Sequence, residues 1–178
     1  GYEFQFQIMA EQNIEIFKSH TIKEIITSCP HCYNTLKHEY PRYGGDFKVV
    51  HYTELIADLV MQGKLKLTNE LNSKLTYHDP CYLGRYNGVF DAPRRVIAAT
   101  GCELVEMPRN RYRSYCCGAG GGRIWMEEVN IKERPSESRI HEAVKLEGVD
   151  AFIVACPKDV TMYKDAVKTT GQENRIMV

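Results

Sequence analysis

The chain is expected to fold as an α/β protein: a parallel sheet with flanking helices. Short apolar runs alternate with helix-patterned segments along its whole length, the pattern of parallel strands joined by crossover helices. Cys29, Cys81 and Cys156 each stand just past one of those runs, and in parallel α/β sheets ligands sit beyond the carboxyl ends of the strands. A stretch near the start also reappears near the end. With 178 residues, 43% of them hydrophobic, the chain can bury a core for one domain or a domain and a half.

Ile8 to His20 sets Ile8, Ile14, Ile16 and Phe17 among polar residues as an amphipathic helix would. Ile22 to Ser28 is a strand that stops at Cys29. Pro30 then opens a helix through Tyr40, where its missing N–H costs nothing, and Pro41 and Gly44-Gly45 end it. Phe47 to Tyr52 is a second strand, and Thr53 is expected to cap a helix through Gln62 that Gly63 stops. Lys74 to His78 is a strand running into Asp79-Pro80-Cys81. Asp91 is expected as the N-cap of a helix to Thr100, followed by a strand from Glu103 to Met107. Arg123 to Val129 and Ser136 to Glu147 are expected to be helical. Ala151 to Ala155 is a strand, Pro157 to Thr170 a helix, and Arg175 to Val178 the start of a further strand.

Twenty-three basic and twenty-three acidic residues cancel, so overall charge gives no reason to expect nucleic acid as a partner. The arginines of Pro108 to Tyr115 read as a solvated loop or as charges that offset a nearby anionic centre. No apolar run reaches the length of a membrane span, the longest clean one being Ala151 to Cys156, and Gly1 to Ala10 carries Glu3, Gln5 and Gln7 where an export signal would be apolar. Seven cysteines without an export signal point to a reducing compartment in which thiols serve as ligands or redox groups. The expected location is the cytoplasm, with any attachment to a membrane made through partner subunits.

The most informative stretch is Cys116-Cys117-Gly118-Ala119-Gly120-Gly121-Gly122. Two soft sulfurs lead onto backbone free to bend around a compact group. A disulfide between the two is the poorer explanation, because adjacent Cα atoms lie about 3.8 Å apart and ordinary disulfides want at least about 4.4 Å. The glycine run lacks the G-x-G-x-x-G register of a dinucleotide site.

Shifted by 127 positions, Glu24-Ile25-Ile26-Thr27-Ser28-Cys29-Pro30 aligns with Ala151-Phe152-Ile153-Val154-Ala155-Cys156-Pro157, and Lys48-Val49-Val50 with Arg175-Ile176-Met177. Two copies of one supersecondary unit is the economical explanation. Counterparts of Cys81 and of the Cys116-Cys117 pair would fall before Gly1. The expected organisation is therefore the rear of a first copy over residues 1–73 and a nearly whole second copy over 74–178.

These residues resemble the cysteine-rich CCG domain of heterodisulfide reductase disulfide-reducing subunits, glycolate oxidase iron–sulfur subunits and related iron–sulfur oxidoreductases. That family's pattern is a cysteine, a long gap, a Cys-Cys pair followed by glycine, a similar gap and then Cys-x-x-Cys, often in two copies. Tyr77-His78-Asp79-Pro80-Cys81-Tyr82-Leu83-Gly84-Arg85 is similar to its first segment, Cys116 to Gly122 to its central pair, and Ala155-Cys156-Pro157 to the start of its closing motif. Cys29-Pro30-His31-Cys32 resembles the closing motif of a preceding copy.

The resemblance implies an electron-transfer module of an oxidoreductase, with Cys81, Cys116, Cys117 and Cys156 binding an iron–sulfur cluster of the 4Fe–4S type. It would relay electrons between a flavin or quinone partner and a disulfide or hydroxy-acid type of substrate. Partners would be other redox subunits: a flavoprotein, a ferredoxin-type protein or a membrane quinone-linked subunit. Asp159 stands where the family often has a cysteine, and is expected to be the first-turn acid of a helix rather than an oxygen ligand. Two alternatives remain, both centred on Cys29 and Cys32. One is a zinc site completed by Cys81 or His78; the other is a thiol–disulfide exchanger, although no proline between Pro41 and Pro80 supplies the turn that would face a substrate. Cys102 lies outside the pattern and reads as a small buried hydrophobe.

Overall fold

A computed structural model describes residues 1–127 and 131–178 of the chain. Helix α1 (Glu3–Ser19) leads into strand β1 (Glu24–Thr27), and α2 (Pro30–Asn34) starts at Pro30 as its first residue. That helix loosens into a π turn over Thr35–Glu39 and tightens to a 3-10 turn over Tyr40–Tyr43. Gly44, in the left-handed region at φ 80°, ends it. Strand β2 (Lys48–His51) and helix α3 (Tyr52–Met61) complete the first half.

The second half runs β3 (Lys74–Tyr77), α4 (Asp91–Ala99), β4 (Glu103–Leu104), α5 (Pro135–Ala143), β5 (Ala151–Ile153) and α6 (Pro157–Thr169). Short 3-10 turns over Arg111–Arg113 and Gly120–Trp125 lie between β4 and α5. The helix expected from Arg123 is the tail of the second of these turns, and residues 128–130 of that expectation lie outside the described residues.

Among the described residues every strand pair is parallel, as the alternation of elements requires, but the pairing divides between two sheets. One holds β1 and β2, with Glu24 opposite Lys48; the other has the order β4-β3-β5. Ala151 of β5 forms a further parallel bridge to Met177, where the last strand was expected. Strand β4 is shorter than expected because the chain leaves the ladder after the Val105 N–H donates to Leu75 O, and Glu106 turns to Arg94.

Two expected caps are corrected. The N-cap of α3 is His51, not Thr53: Glu54 reaches back to the His51 N–H at 3.0 Å, and the Thr53 hydroxyl bonds His51 Nδ1. The N-cap of α4 is Phe90, because Asp91 lies inside the first turn with its carboxylate drawn to Arg111 at 2.9 Å.

The second sheet is covered on both faces. On one, Leu75, Tyr77, Ile97, Cys102 and Ala151 pack together under α4, so Cys102 is the buried small hydrophobe its context suggested. On the other, Ile140 and Ala143 of α5 and Tyr163, Ala166 and Val167 of α6 close over Phe152, with Met107 and Cys117 in the same core. Helix α1 packs Ala10 and Ile14 against Tyr40, and α3 lies along α4 to join the two halves.

Glu142 links α5 to the segment leading from β4 toward the cysteine pair. It accepts from the Arg109 N–H at 2.9 Å and from Arg139, whose side chain is fully buried, at 2.9 Å. Burial alone would push this carboxyl up, but the Arg109 N–H and the two guanidinium groups outweigh it and hold it below the usual range. A depressed carboxylate stabilises the fold at pH above its unfolded value, and that contribution disappears as pH falls through the folded value. Glu142→Gln is expected to cost about 3 kcal/mol at neutral pH, and its deficit in urea unfolding should shrink below about pH 4.

Candidate metal centre

Cys81 is delivered by β3. The His78 N–H donates to Ile153 O at 2.9 Å, which keeps β3 locked to β5 until the chain turns at Pro80. Asp79 fixes that turn. Its carboxylate, 2% exposed with the residue, accepts from Arg94 of α4 at 2.7 and 2.9 Å and from the Arg111 N–H at 2.7 Å. Its carbonyl accepts from the Ser114 hydroxyl at 2.9 Å, and Arg85 donates to Ser114 O. The Cys81 loop and the segment entering Cys116 are thereby stapled to each other.

Cys116 is half-buried, whereas Cys117 belongs to the core. Gly118 takes φ 87°, where any side chain would be strained, and its N–H points back at Cys116 Sγ at 3.3 Å. Gly121 and Gly122 are also left-handed, at φ 61° and 79°, and kink the turn that follows. Such N–H groups aimed at sulfur are the donors that tune a metal-bound thiolate. The two neighbouring thiols shift each other in opposite directions. Cys116 is the one lowered, first by the Cys117 thiol, then by the Gly118 N–H and by Arg85; Cys117 is raised by Cys116, by burial and by Asp159.

Cys156 follows β5 as the N-cap of α6, with the N–H groups of Lys158 and Asp159 directed at it. Burial and the negative charge of Asp159 prevail, and the thiol is pushed up to about 12. Cys81 is raised by burial and by the charges of Cys116 and Asp159. The charge of Asp159 thus bears on Cys81, Cys117 and Cys156, and that of Cys116 bears on Asp159. Burial raises that carboxyl in turn, to about 6.

Cys29 and Cys32 lie on the adjoining rim. Cys29 is the N-cap of α2 and Cys32 is exposed one turn on. His31 Nδ1 stands 3.9 Å from Cys29 Sγ and 4.0 Å from Cys156 Sγ, joining the end of the first sheet to the end of the second. Its interaction with Cys29 is the largest influence lowering that thiol to about 6. Cys32 moves up, through desolvation and through its bond to Cys29.

Among the described residues, no three His, Cys, Asp or Glu side chains are gathered closely enough to hold a single metal ion. His78, the alternative to Cys81 for completing a zinc site with Cys29 and Cys32, is buried against the Tyr163 hydroxyl at 3.2 Å, and desolvation together with Arg139 and Arg85 keeps it neutral. A cluster of several irons makes a different demand. Each thiolate binds its own iron, so the sulfurs ring a volume instead of meeting at a point.

Sequence reasoning missed Arg85, the cation that faces both Cys81 and Cys116, although it closes the Cys81 motif. It gave the charge-offsetting role to the arginine-rich loop. There, Arg109 pairs with Glu142 and stacks on Tyr115, and Arg111 pairs with Asp91.

The model of the CCG cysteine-rich domain family matches residues 1–37 and 75–158. The chain belongs to the CCG cysteine-rich domain family. It is 42% identical to the EtfAB:quinone oxidoreductase of Syntrophomonas wolfei, over the whole of this chain and 26% of that protein. It is 43% identical to the probable iron-sulfur-binding oxidoreductase FadF of Bacillus subtilis, over 99% of this chain and 25% of the relative. A component of the dihydromethanophenazine:CoB–CoM heterodisulfide reductase of Methanosarcina mazei is 39% identical over 84% of this chain and 37% of that relative. The chain therefore spans a quarter to little more than a third of the length of these relatives. No solved structure matches it. Among the described residues, no helix is long and apolar enough to cross a membrane.

Because Asp79 joins the Cys81 loop, α4 and the Cys116 segment, Asp79→Asn should destabilise the protein by about 3 kcal/mol by leaving Arg94 under-compensated. In metal-free protein it should also speed alkylation of Cys81 and Cys116 while leaving Cys29 unchanged. Cys81 and Cys116 rates unchanged from the wild type would mean that Asp79 does not order this loop.

Proposed function

We propose that this chain is an iron–sulfur electron-transfer module of an oxidoreductase, with Cys81, Cys116, Cys117 and Cys156 as ligands of a 4Fe–4S-type cluster. What supports this is that Cys81 and Cys156 follow the carboxyl ends of the neighbouring strands β3 and β5, and that the Cys81 loop is hydrogen-bonded through Asp79 to the segment entering Cys116-Cys117. The donor set fits such a group. It offers soft thiols whose pKa values are raised in three cases out of four, so that without a metal they hold protons and with one they release them. When bound, the cluster would supply reversible one-electron transfer.

The chain's own residues orient and tune that group. Asp79 and Ser114 fix the Cys81 loop, the Gly118 N–H points at Cys116, the N–H groups of Lys158 and Asp159 point at Cys156, and Arg85 contributes the nearby positive charge. His78, three residues before Cys81, is buried, neutral and held by Tyr163.

Residues 1–73 are read as the rear of a first CCG repeat and 74–178 as a second. Both halves support this with a strand, a Cys-Pro helix start and a parallel partner strand, although β1 meets β2 two residues earlier in register than β5 meets Met177. On this reading Cys29 and Cys32 close the metal site of the first repeat. The relatives' names are consistent with a flavoprotein, ferredoxin-type or quinone-linked partner and with a disulfide substrate; the hydroxy acid as the other substrate class and a cytoplasmic location, with attachment to a membrane through partner subunits, belong to this reading alone.

The second reading is a thiol–disulfide exchanger, favoured by Cys29, lowered to about 6 beside an exposed Cys32. An anaerobic preparation of the full-length protein assayed for iron, sulfide and zinc separates the possibilities. Iron and sulfide in equal amounts, lost in Cys116→Ser while the fold survives, are the expected result. A colourless sample holding one zinc would point to a zinc site. Exchange activity abolished by Cys29→Ser and indifferent to Cys117→Ser would favour the exchanger.

A further inference from the structure

Among the described residues, the arginines that the fold buries or half-buries are Arg94, Arg109, Arg123, Arg134 and Arg139. All but one are compensated by carboxylates. Arg94 meets Asp79 and Glu106, Arg109 and Arg139 share Glu142, and Arg134 meets Glu137 and Asp165. The guanidinium of Arg123 has no hydrogen-bond or ion-pair partner among the described residues. Withdrawing part of a cation from water without a partner costs free energy, which an incoming anion would recover.

Arg123 lines a cleft of about 470 Å3 between the 3-10 turn Gly120–Trp125 and helix α6, a volume in the range of small-molecule sites. Gly118 forms part of the wall, and its N–H points at Cys116 Sγ at 3.3 Å, so the cleft adjoins the cysteine pair. Met126 and Met162 give it an apolar surface able to adapt to irregular shapes, and Thr161 stands at its rim. The other charged residues of the cleft, Arg134 and Asp165, pair with each other at 2.6 Å. Arg123 is therefore the charge in the cleft that the protein leaves uncompensated.

We propose that this cleft is a substrate subsite and takes a small organic anion, with one carboxylate or sulfonate on Arg123 and an apolar body against Met126 and Met162. The proposal rests on the cluster reading above and names the class of molecule presented to that cluster. Arg123 binds and orients, and no bond is made or broken at it. Its planar fork can hold two oxygens of one head group, which a lysine cannot do as well.

The test titrates the full-length protein, anaerobically loaded with iron and sulfide, with pentanoate, butanesulfonate and the neutral pentanamide. Binding is read by calorimetry and by the EPR signal of the dithionite-reduced cluster. At least one of the two anions should bind and shift that signal, the tighter one identifying the preferred head group, and pentanamide should do neither. Arg123→Gln, which breaks no ion pair, should weaken anion binding at least about tenfold and abolish the shift, and Arg123→Lys should recover part of the affinity. Thr161→Phe, which fills the cleft from its rim, should also block binding. Anion binding that is absent from the wild type, or equal in wild type and Arg123→Gln, would overturn the proposal. So would binding that leaves the EPR signal unmoved. Protein that takes up no iron would overturn the cluster reading instead, and calorimetry on that sample still reports whether the cleft takes the anion.

Discussion

The buried Asp79 carboxylate accepts from Arg94 on one side and from the backbone of Arg111 on the other, while its own carbonyl takes the Ser114 hydroxyl. Cys81 and Cys116 are thirty-five positions apart in the chain, and these bonds hold the loops that carry them as one surface. Arg94 is only 10% exposed and also meets Glu106 at 2.6 Å. An ion pair at such depth stabilises less than its Coulomb energy suggests, yet leaving either partner alone is strongly unfavourable. The arrangement of the first three sulfurs therefore depends on a charge that belongs to the fold and not to the metal site.

Beyond this clamp, the site is built from strand ends. Strand β3 delivers Cys81, β5 delivers Cys156, and β1 delivers Cys29 from the neighbouring sheet, where His31 reaches both Cys29 and Cys156. Cys156 and Cys29 are helix N-caps, so exposed N–H groups and the positive helix end face the sulfurs. Against that stand burial and mutual repulsion, which raise Cys81, Cys117 and Cys156. Arg85 is too little positive charge for the four thiols and Asp159 once they ionise, and a multivalent metal group is what would balance them.

Much of the architecture was legible because the strands are buried apolar runs and the helices are punctuated by Pro30, Gly63, Gly101 and Pro157. What failed failed locally. Thr53 and Asp91 are good capping residues, but His51 and Phe90 occupy the caps because the strand or loop before each helix already sets the backbone there. The division into two sheets was not legible, since periodicity says which segments are strands and not which of them pair. The cysteines were found from their spacing and the glycines beside them. Asp159 stood out only through the family's motif, and the roles of Asp79 and Arg85 did not: they contribute through burial and through partners distant in sequence, and a lone acid or arginine carries no trace of either.

The most direct measurement is anomalous scattering at the iron edge from crystals of the full-length protein grown without oxygen. A compact group of iron peaks bonded to Cys81, Cys116, Cys117 and Cys156 is the expected result. Iron confined to Cys29 and Cys32, or a Cys116–Cys117 pair with no iron beside it, would contradict the convergence of these four sulfurs on one cluster.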